Sequence, residues 1–577
     1  MTAKKLRLSL IVLISILIVS GFFLFYRLGR ADPLTDEIQI AFRSIGWLDF
    51  LGTSYQTTPL EWFRPPAPNW VHLSFHDHPP LTFLLEHIIF NFAPDSLFWL
   101  RLPFAIFGLA TVWLIYLIAK KLFNNNQAAL AAALIAATDS YLIWIGRIGL
   151  QEGIVIFFSL LALFYLMKAK DNDTNFIYFG LALGLGLLTK YTAAIILPIG
   201  LIYIWLNFPE KFKNKKLYLG LLAGLIIFSP VIFYNLQMFK AVGHFDVQLA
   251  TLFRQAAPQW PVLLGKNIGP LPERIMNFYP ALIANSSPVF IFFYFASLIF
   301  LIYSLVKKII RQADFKLEAW LLACLILYHL LIVVIGPSQR FLAMIIPIII
   351  LIFAYSLTYF DQKNKILRLT FLPLVILFTA YEAFFSWQTF QTVAPMADSP
   401  WVYSNLRNES PALGYNSLEA YLKKTIDVAR PAIVFPTGDN LQFINDYRQQ
   451  DFRRIGKNPK QAILLVFDPR MDNYAKFWIF GRRYYYDGWP IISVDEYLAA
   501  KKDDPKFFNE QGFKKFYYFA ATENINIGSS PTLSENAESF NDFLDKSKVK
   551  PVENLTDAFG KIIIQVFYSE KDFPLSK

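Results

Sequence analysis

Three groups of residues stand out by chemical type and spacing. Asp36 and Glu37 are adjacent carboxylates. A carboxylate within reach of a hydroxyl can take its proton. Arg147, Lys190 and Arg340 are isolated cations beside apolar runs, with Glu152 five residues after Arg147. Arginine forks suit phosphate oxygens and lysine adds a point charge. His72, His76, Asp77 and His78 form a compact donor set that could ligate a metal. The His78-Pro79-Pro80 run stiffens that backbone, and a loop histidine is more often a hydrogen-bonding group.

The elements that must position these residues are membrane helices. Of 577 residues 55% are hydrophobic and only 17% charged, against about 25% charged in soluble domains. About 20 apolar residues span a bilayer as helix. Eleven spans are expected: 8–27, 101–121, 128–145, 153–167, 176–189, 193–207, 217–235, 288–306, 319–335, 341–360 and 369–385. The first follows Lys4-Lys5-Leu6-Arg7, is too long for a signal-peptide core, and reads as uncleaved. Lysines and arginines gather after the second, fourth, sixth, eighth and tenth spans, at Lys120, Lys168, Lys211, Lys307 and Lys363. The positive-inside rule makes those loops and the N-terminus cytoplasmic and the C-terminal domain extracytoplasmic, in a cell (plasma) membrane.

This topology sorts the charges. Asp36, Glu37 and the histidine group fall in a first outer loop, 31–100, and a second outer loop runs over 236–287. The second is rich in Pro, Gly and aromatics without a clear period, and could be a mobile cover. Leu81–Phe92 reads as a helix lying on the membrane surface. Arg147, Lys190 and Arg340 fall in outer turns, where cations are disfavoured and need a reason. A bound anion would supply one. Alternatively, Arg147 and Lys190 snorkel or pair with Glu152. Arg101 could be an interfacial anchor, and Asp36 and Glu37 could cap a helix starting near Thr35. Asp139, inside the third expected span, could face Arg147 across two helical turns. His329 and Glu382 are the other ionisable groups within spans.

The chain thus divides into a transmembrane domain, 1–386, and a soluble mixed α/β domain, 387–577. In the latter, 431–435, 462–467, 516–520 and 562–568 read as strands, and 416–425 and 534–545 as helices. The net charge of +11 sits largely in the cytoplasmic loops, which argues against nucleic acid as partner. The single cysteine, Cys324, allows neither an intrachain disulfide nor a cysteine metal cluster.

Several motifs resemble the protein O-mannosyltransferases and their bacterial relatives, glycosyltransferase family 39, and similarly the lipid A aminoarabinose transferases. Thr35-Asp36-Glu37 looks like their acidic pair, and His76-Asp77-His78-Pro79-Pro80-Leu81 like their His-Pro-Pro-Leu segment. Arg101-Leu102-Pro103-Phe104 with Lys120-Lys121-Leu122-Phe123 looks like their second span. Arg147-Ile148-Gly149-Leu150-Gln151-Glu152 resembles an Arg-x-x-x-x-Asp turn, with Glu in place of the usual Asp. Leu187-Leu188-Thr189-Lys190-Tyr191 resembles a Leu-Thr-Lys turn, and Gln339-Arg340-Phe341 an Arg-Tyr pair. The set covers roughly residues 1 to 390, in order; the C-terminal domain matches no motif.

The resemblance implies an α-helical polytopic C-type glycosyltransferase fold with an outer active site and a polyprenyl-phosphate-linked sugar as donor. The acceptor is a hydroxyl or phosphate on lipid, glycan or protein. The residues fit this chemistry. Asp36 is the expected base, with Glu37 positioning the acceptor and Glu152 as a third catalytic carboxylate. His76, Asp77 and His78 are expected at the acceptor side. The leaving group is a lipid phosphate, so Lys190, Arg340 and Arg147 should help rather than a general acid. A single displacement inverts the anomeric centre. No cofactor is expected, though a divalent metal stays open. The rival expectation is a polytopic transporter or flippase, whose ionisable groups usually lie near the bilayer midplane.

Overall fold

The computed structural model describes residues 3–47, 76–256, 268–363, 365–392, 399–409, 413–429, 463–525 and 533–573. The chain divides into two compact units. One comprises residues 1–29 and 49–409, the other residues 30–48 and 410–577. The second unit therefore takes in Arg30–Leu48, a stretch between the first and the later apolar helices that was expected to belong with them.

The first unit is helical. Its elements include α1 (Ala3–Phe25); then, after α2 (Thr35–Gly46) of the second unit, α3 (Leu81–Phe92) and α4 (Leu97–Phe123). These are followed by α5 (Asn126–Thr138) and α6 (Ser140–Arg147), α7 (Gln151–Lys168) and α8 (Asn175–Thr189). Next come α9 (Ile196–Asn207), α10 (Lys215–Val242) and the short α11 (Val247–Leu252). Later helices cover Leu271–Asn285, Pro288–Ile310, Lys316–Ile335, Ile346–Lys363 and Lys365–Phe390. All eleven apolar stretches are helical. Among the described residues seven helices are long and apolar enough to cross a membrane, and the bent pair α5–α6 makes an eighth. The chain is a multi-spanning membrane protein. α8 and the Tyr191–Asn207 stretch are shorter apolar helices.

Two expectations about this unit are corrected. The stretch 128–145 is not one straight span: α5 and α6 meet at a 57° bend. Asp139 makes the break, and its side chain caps α6 by accepting from Leu142 N at 2.9 Å. The second long loop is partly ordered as helix. α10 runs on to Val242, and Leu271–Asn285 forms another helix. Leu81–Phe92 is helical over the expected bounds and buries Thr82, Phe83, Glu86 and Phe90.

α8 and α10 pack backbone to backbone. A Cβ placed on Gly180 would lie 1.7 Å from Gly220 O, and one on Gly184 2.6 Å from Gly224 O. The four-residue step on both helices shows that they run parallel. In lipid, such small-residue contacts let helices approach closely enough for dispersion to hold them.

The second unit holds a five-stranded sheet in the order β2-β1-β3-β5-β4. Its strands are β1 (Ile463–Phe467), β2 (Ile491–Ser493), β3 (Lys515–Ala521), β4 (Glu553–Thr556) and β5 (Ile562–Ser569). β2, β1 and β3 are parallel, whereas β5 runs antiparallel to both β3 and β4. Leu464, Val466, Phe516 and Tyr518 pack with Tyr497, Phe540 and Leu544 into its core. Helices at Tyr415–Tyr421 and Glu535–Lys546 answer the expected ones. The expected strand 431–435 lies outside the described residues.

Candidate functional site

The first turn of α7 presents Glu152, a position that the helix dipole favours for a carboxylate. α8 ends at Thr189, and Lys190 takes an extended backbone, φ −162°. That change of direction aims its side chain at α7. Lys190 Nζ lies 2.5 Å from Glu152 Oε1, and Arg340 Nε lies 3.8 Å from the same oxygen. Both cations lie within cation–π distance of the Phe341 ring, at 4.8 and 5.1 Å. Glu152 is 1% exposed and Lys190 9%, whereas Arg340 keeps 31% of its side chain accessible. Two cations thus converge on one buried carboxylate, and the guanidinium of one of them stays partly open. Phe341 was not singled out as a contact from sequence; its place directly after Arg340 was the available signal.

A second network adjoins this turn. The Tyr191 hydroxyl donates to Asp246 Oδ2, and Asn235 Nδ2 donates to the same oxygen at 2.9 Å. Asp246 Oδ1 accepts from Leu249 N at 2.9 Å. Asp246 is fully buried. Burial pushes its carboxyl above the usual range, against the hydrogen bonds from Leu249, Tyr191 and Asn235. The next residue, Val247, donates its N–H to His76 O at 2.7 Å. His78 Nδ1 lies 2.9 Å from Asp77 Oδ2. The structure thus brings the His76–His78 turn to the Tyr191–Asp246 network. Among the described residues no three His, Cys, Asp or Glu side chains gather as metal ligands. His72 lies outside the described residues.

Arg147 is placed differently from Lys190 and Arg340. Its Nη1 donates to the carbonyls of Phe23 at 2.5 Å, Leu24 at 3.1 Å and Tyr26 at 3.0 Å, and Nη2 to Arg27 O at 3.3 Å. Arg101 Nη1 donates to Leu28 O at 2.9 Å. Both arginines therefore satisfy carbonyls at this point of the chain, Arg147 those of the last turn of α1 and the two residues after it, Arg101 that of Leu28. This helix end accounts for a cation at Arg147 without Asp139, whose own side chain caps α6, and the contacts recorded for Arg147 differ from those of Lys190 and Arg340. The other ionisable groups within the helices also have local partners. Glu382 accepts from the Ser287 hydroxyl. His329 bonds Leu325 O at 2.8 Å and faces the Tyr279 hydroxyl at 3.2 Å.

Asp36 and Glu37 lie in the first turn of α2, in the second unit. There α2 is held by Tyr486, whose hydroxyl donates to Phe42 O at 2.7 Å. Asp32, just ahead of it, accepts from Gly414 N at 3.0 Å and Asn416 N at 3.2 Å. The two acids differ in environment. Asp36 is exposed, while Glu37 is buried and accepts from Leu34 N at 3.2 Å, tying down the start of the helix. Capping, one of the readings open for the pair, thus describes Glu37.

Residues 77–234 match the family described as dolichyl-phosphate-mannose-protein mannosyltransferase. The chain is 27% identical over 171 residues to an undecaprenyl phosphate-alpha-4-amino-4-deoxy-L-arabinose arabinosyl transferase of Pseudomonas fluorescens, covering 28% of this chain and 29% of that protein. It is 27% identical over 249 residues to the putative mannosyltransferase YkcB of Bacillus subtilis, covering 41% and 32%. The matched stretch spans less than a third of either relative. The crystal structure of ArnT from Cupriavidus metallidurans in the apo state superposes with a TM-score of 0.51 at 12% identity, over 98% of each chain. These findings bear out the resemblance carried by the motifs and the C-type glycosyltransferase fold.

Proposed function

We propose that this chain is a membrane glycosyltransferase that moves a sugar from a polyprenyl-phosphate donor to an acceptor hydroxyl, with inversion. The observation that supports this reading most is the Glu152–Lys190–Arg340 cluster, which gathers two cationic side chains of the types that bind phosphate, the arginine partly open. Lys190 and Glu152 fall inside the stretch matched by the mannosyltransferase family.

In this reading the acceptor oxygen attacks the anomeric carbon as the bond from that carbon to the phosphate oxygen breaks. The acceptor's proton passes to Asp36, the exposed carboxylate of the pair. Lys190 and Arg340 hold the charge gained by the departing polyprenyl phosphate. Glu152 binds no substrate; it fixes both cations and keeps their repulsion in check. Glu37 shapes the start of α2 and so the bearing of Asp36. His76, Asp77 and His78 serve the acceptor side. The acceptor is a lipid, glycan or protein group, and the donor sugar is a hexose or pentose. The active face lies outside the cytoplasm.

The test is purified protein incubated with a panel of polyprenyl-phosphate sugars, reading release of lipid phosphate. Asp36→Asn keeps the shape and removes the proton acceptor, so transfer should fall by about 10²- to 10⁴-fold with donor binding retained. Lys190→Met and Arg340→Met should weaken donor binding. Wild-type turnover in Asp36→Asn would remove the base assignment, and unchanged donor affinity in both cation variants would remove the phosphate site.

A further inference from the structure

We infer that Asp246 is a positioning residue: it ties the 244–247 segment and the His76–His78 turn to the turn that presents Lys190, and so sets where that lysine meets an anion. The inference rests on the reading of Lys190 as a phosphate ligand.

Lys190 and Tyr191 are neighbours at the point where α8 gives way to a 3-10 turn. Lys190 is anchored on one side through Glu152. The other side is anchored through Tyr191, whose hydroxyl donates to Asp246. Asn235 completes a closed set. Its Nδ2 reaches Asp246 Oδ2 at 2.9 Å and the Tyr191 hydroxyl at 3.3 Å, and its Oδ1 accepts from Asp246 N at 2.8 Å. Asn235 and Asp246 are 4% and 0% exposed, so water does not compete for these bonds.

Asn235 lies on α10, and α10 is locked in parallel to α8 by the Gly180–Gly220 and Gly184–Gly224 contacts. The clamp therefore closes the same end of a helix pair whose bodies cannot slide. From that end the Val247 N–H reaches His76 O, so one short segment holds two turns that carry candidate site residues.

A plain capping role for Asp246 is the alternative, because its Oδ1 also caps the six-residue α11. The two roles use different oxygens. Asn caps about as well as Asp, so Asp246→Asn keeps the bond to Leu249 N and replaces the oxygen that receives Tyr191 and Asn235. Tyr191→Phe breaks the same link from the other side and leaves the cap untouched.

The experiment measures undecaprenyl phosphate binding to full-length purified protein by native mass spectrometry, alongside thermal unfolding. Asp246→Asn and Tyr191→Phe should each weaken binding about tenfold, the loss expected for one hydrogen bond to a charged group. The double variant should be no weaker than either single one, since both changes cut one link. Lys190→Met provides the reference. If Lys190→Met loses affinity while Asp246→Asn and Tyr191→Phe keep it, the positioning role is overturned and the phosphate reading stands. Additive losses in the double variant would also overturn it. If Lys190→Met itself binds as wild type, the phosphate reading falls and this inference with it. Should Asp246→Asn fail to fold, Tyr191→Phe alone decides the matter.

Discussion

A guanidinium with no carboxylate partner can still be fully employed, and Arg147 is such a case. Its four contacts are carbonyls of the last turn of α1 and of the two residues after it, groups that an apolar surrounding would otherwise leave poorly satisfied. Arg147→Met should lower the melting temperature, at a cost of about 1–3 kcal/mol for the carbonyls left bare. Undecaprenyl phosphate affinity, measured on the protein that remains folded, should stay at the wild-type value; a selective loss of affinity would return Arg147 to the phosphate site. Glu419 gives a pH-dependent counterpart in the second unit. Burial opposes its ionisation, but the Arg482 and Arg483 guanidiniums, at 2.9 and 2.7 Å, hold its carboxyl far below the usual range. With the folded pKa below the unfolded one, the cluster contributes fully above the ordinary glutamate range. That contribution is lost as pH falls through the range toward the folded value. The gap in melting temperature between wild type and Glu419→Gln should therefore hold from pH 7 to about pH 5 and narrow below that; a gap that stays constant into the acid range would contradict the assignment. At this scale sequence showed which side chains were chemically apt, but not their partners. Lys190 and Glu152 were legible as a possible pair because both fell beside short turns on one face. Asp246 was invisible because its work depends on Tyr191 and Asn235, 55 and 11 residues away.

The apolar stretches predicted the membrane helices well, since twenty residues without charge have few alternatives in lipid. What hydropathy could not convey was their interruption and their contacts. The α5–α6 break is apolar on both sides, and only the capping chemistry of Asp139 marks it. The α8–α10 contact depends on glycines whose role is to be small. Alanine normally favours a helix over glycine by about 1 kcal/mol. At Gly220 the sign should reverse, because a Cβ there would sit 2.0 Å from Phe176 O. Backbone cannot swing aside as a side chain can, so the whole helix must shift, and overpacking of this kind costs about 1–3 kcal/mol or more. Gly220→Ala should unfold at lower temperature than wild type. Gly21→Ala, whose Cβ would meet its nearest atom at 3.9 Å, should not. Equal melting temperatures for the two variants would mean that α8 and α10 are less closely packed than described.

Over the whole molecule, the lysine-rich loops predict that a reporter active only in the cytoplasm is silent when fused after Lys577, whereas one placed in the 209–216 loop gives signal. The reverse pattern would invert the proposed active face. Sequence offered a change of texture near residue 386, where charge rises and long apolar runs stop, whereas the compact units divide between residues 409 and 410. The membership of α2 was not legible. Twelve residues of mixed polarity beside a membrane span look like part of the membrane domain, and the partners of α2 and of Asp32 ahead of it, Tyr486, Gly414 and Asn416, lie far along the chain. That placement bears on how the protein is made. The helix carrying Asp36 leaves the ribosome early, yet the rest of its unit begins only at residue 410. At about 5–20 residues per second, roughly 20–70 s of translation separate the two. During that interval α2 has no completed unit to dock on, and a chain that stops short of the sheet never provides one. The first acidic pair to be synthesised is thus secured late, so assembly itself withholds it until the sheet has emerged.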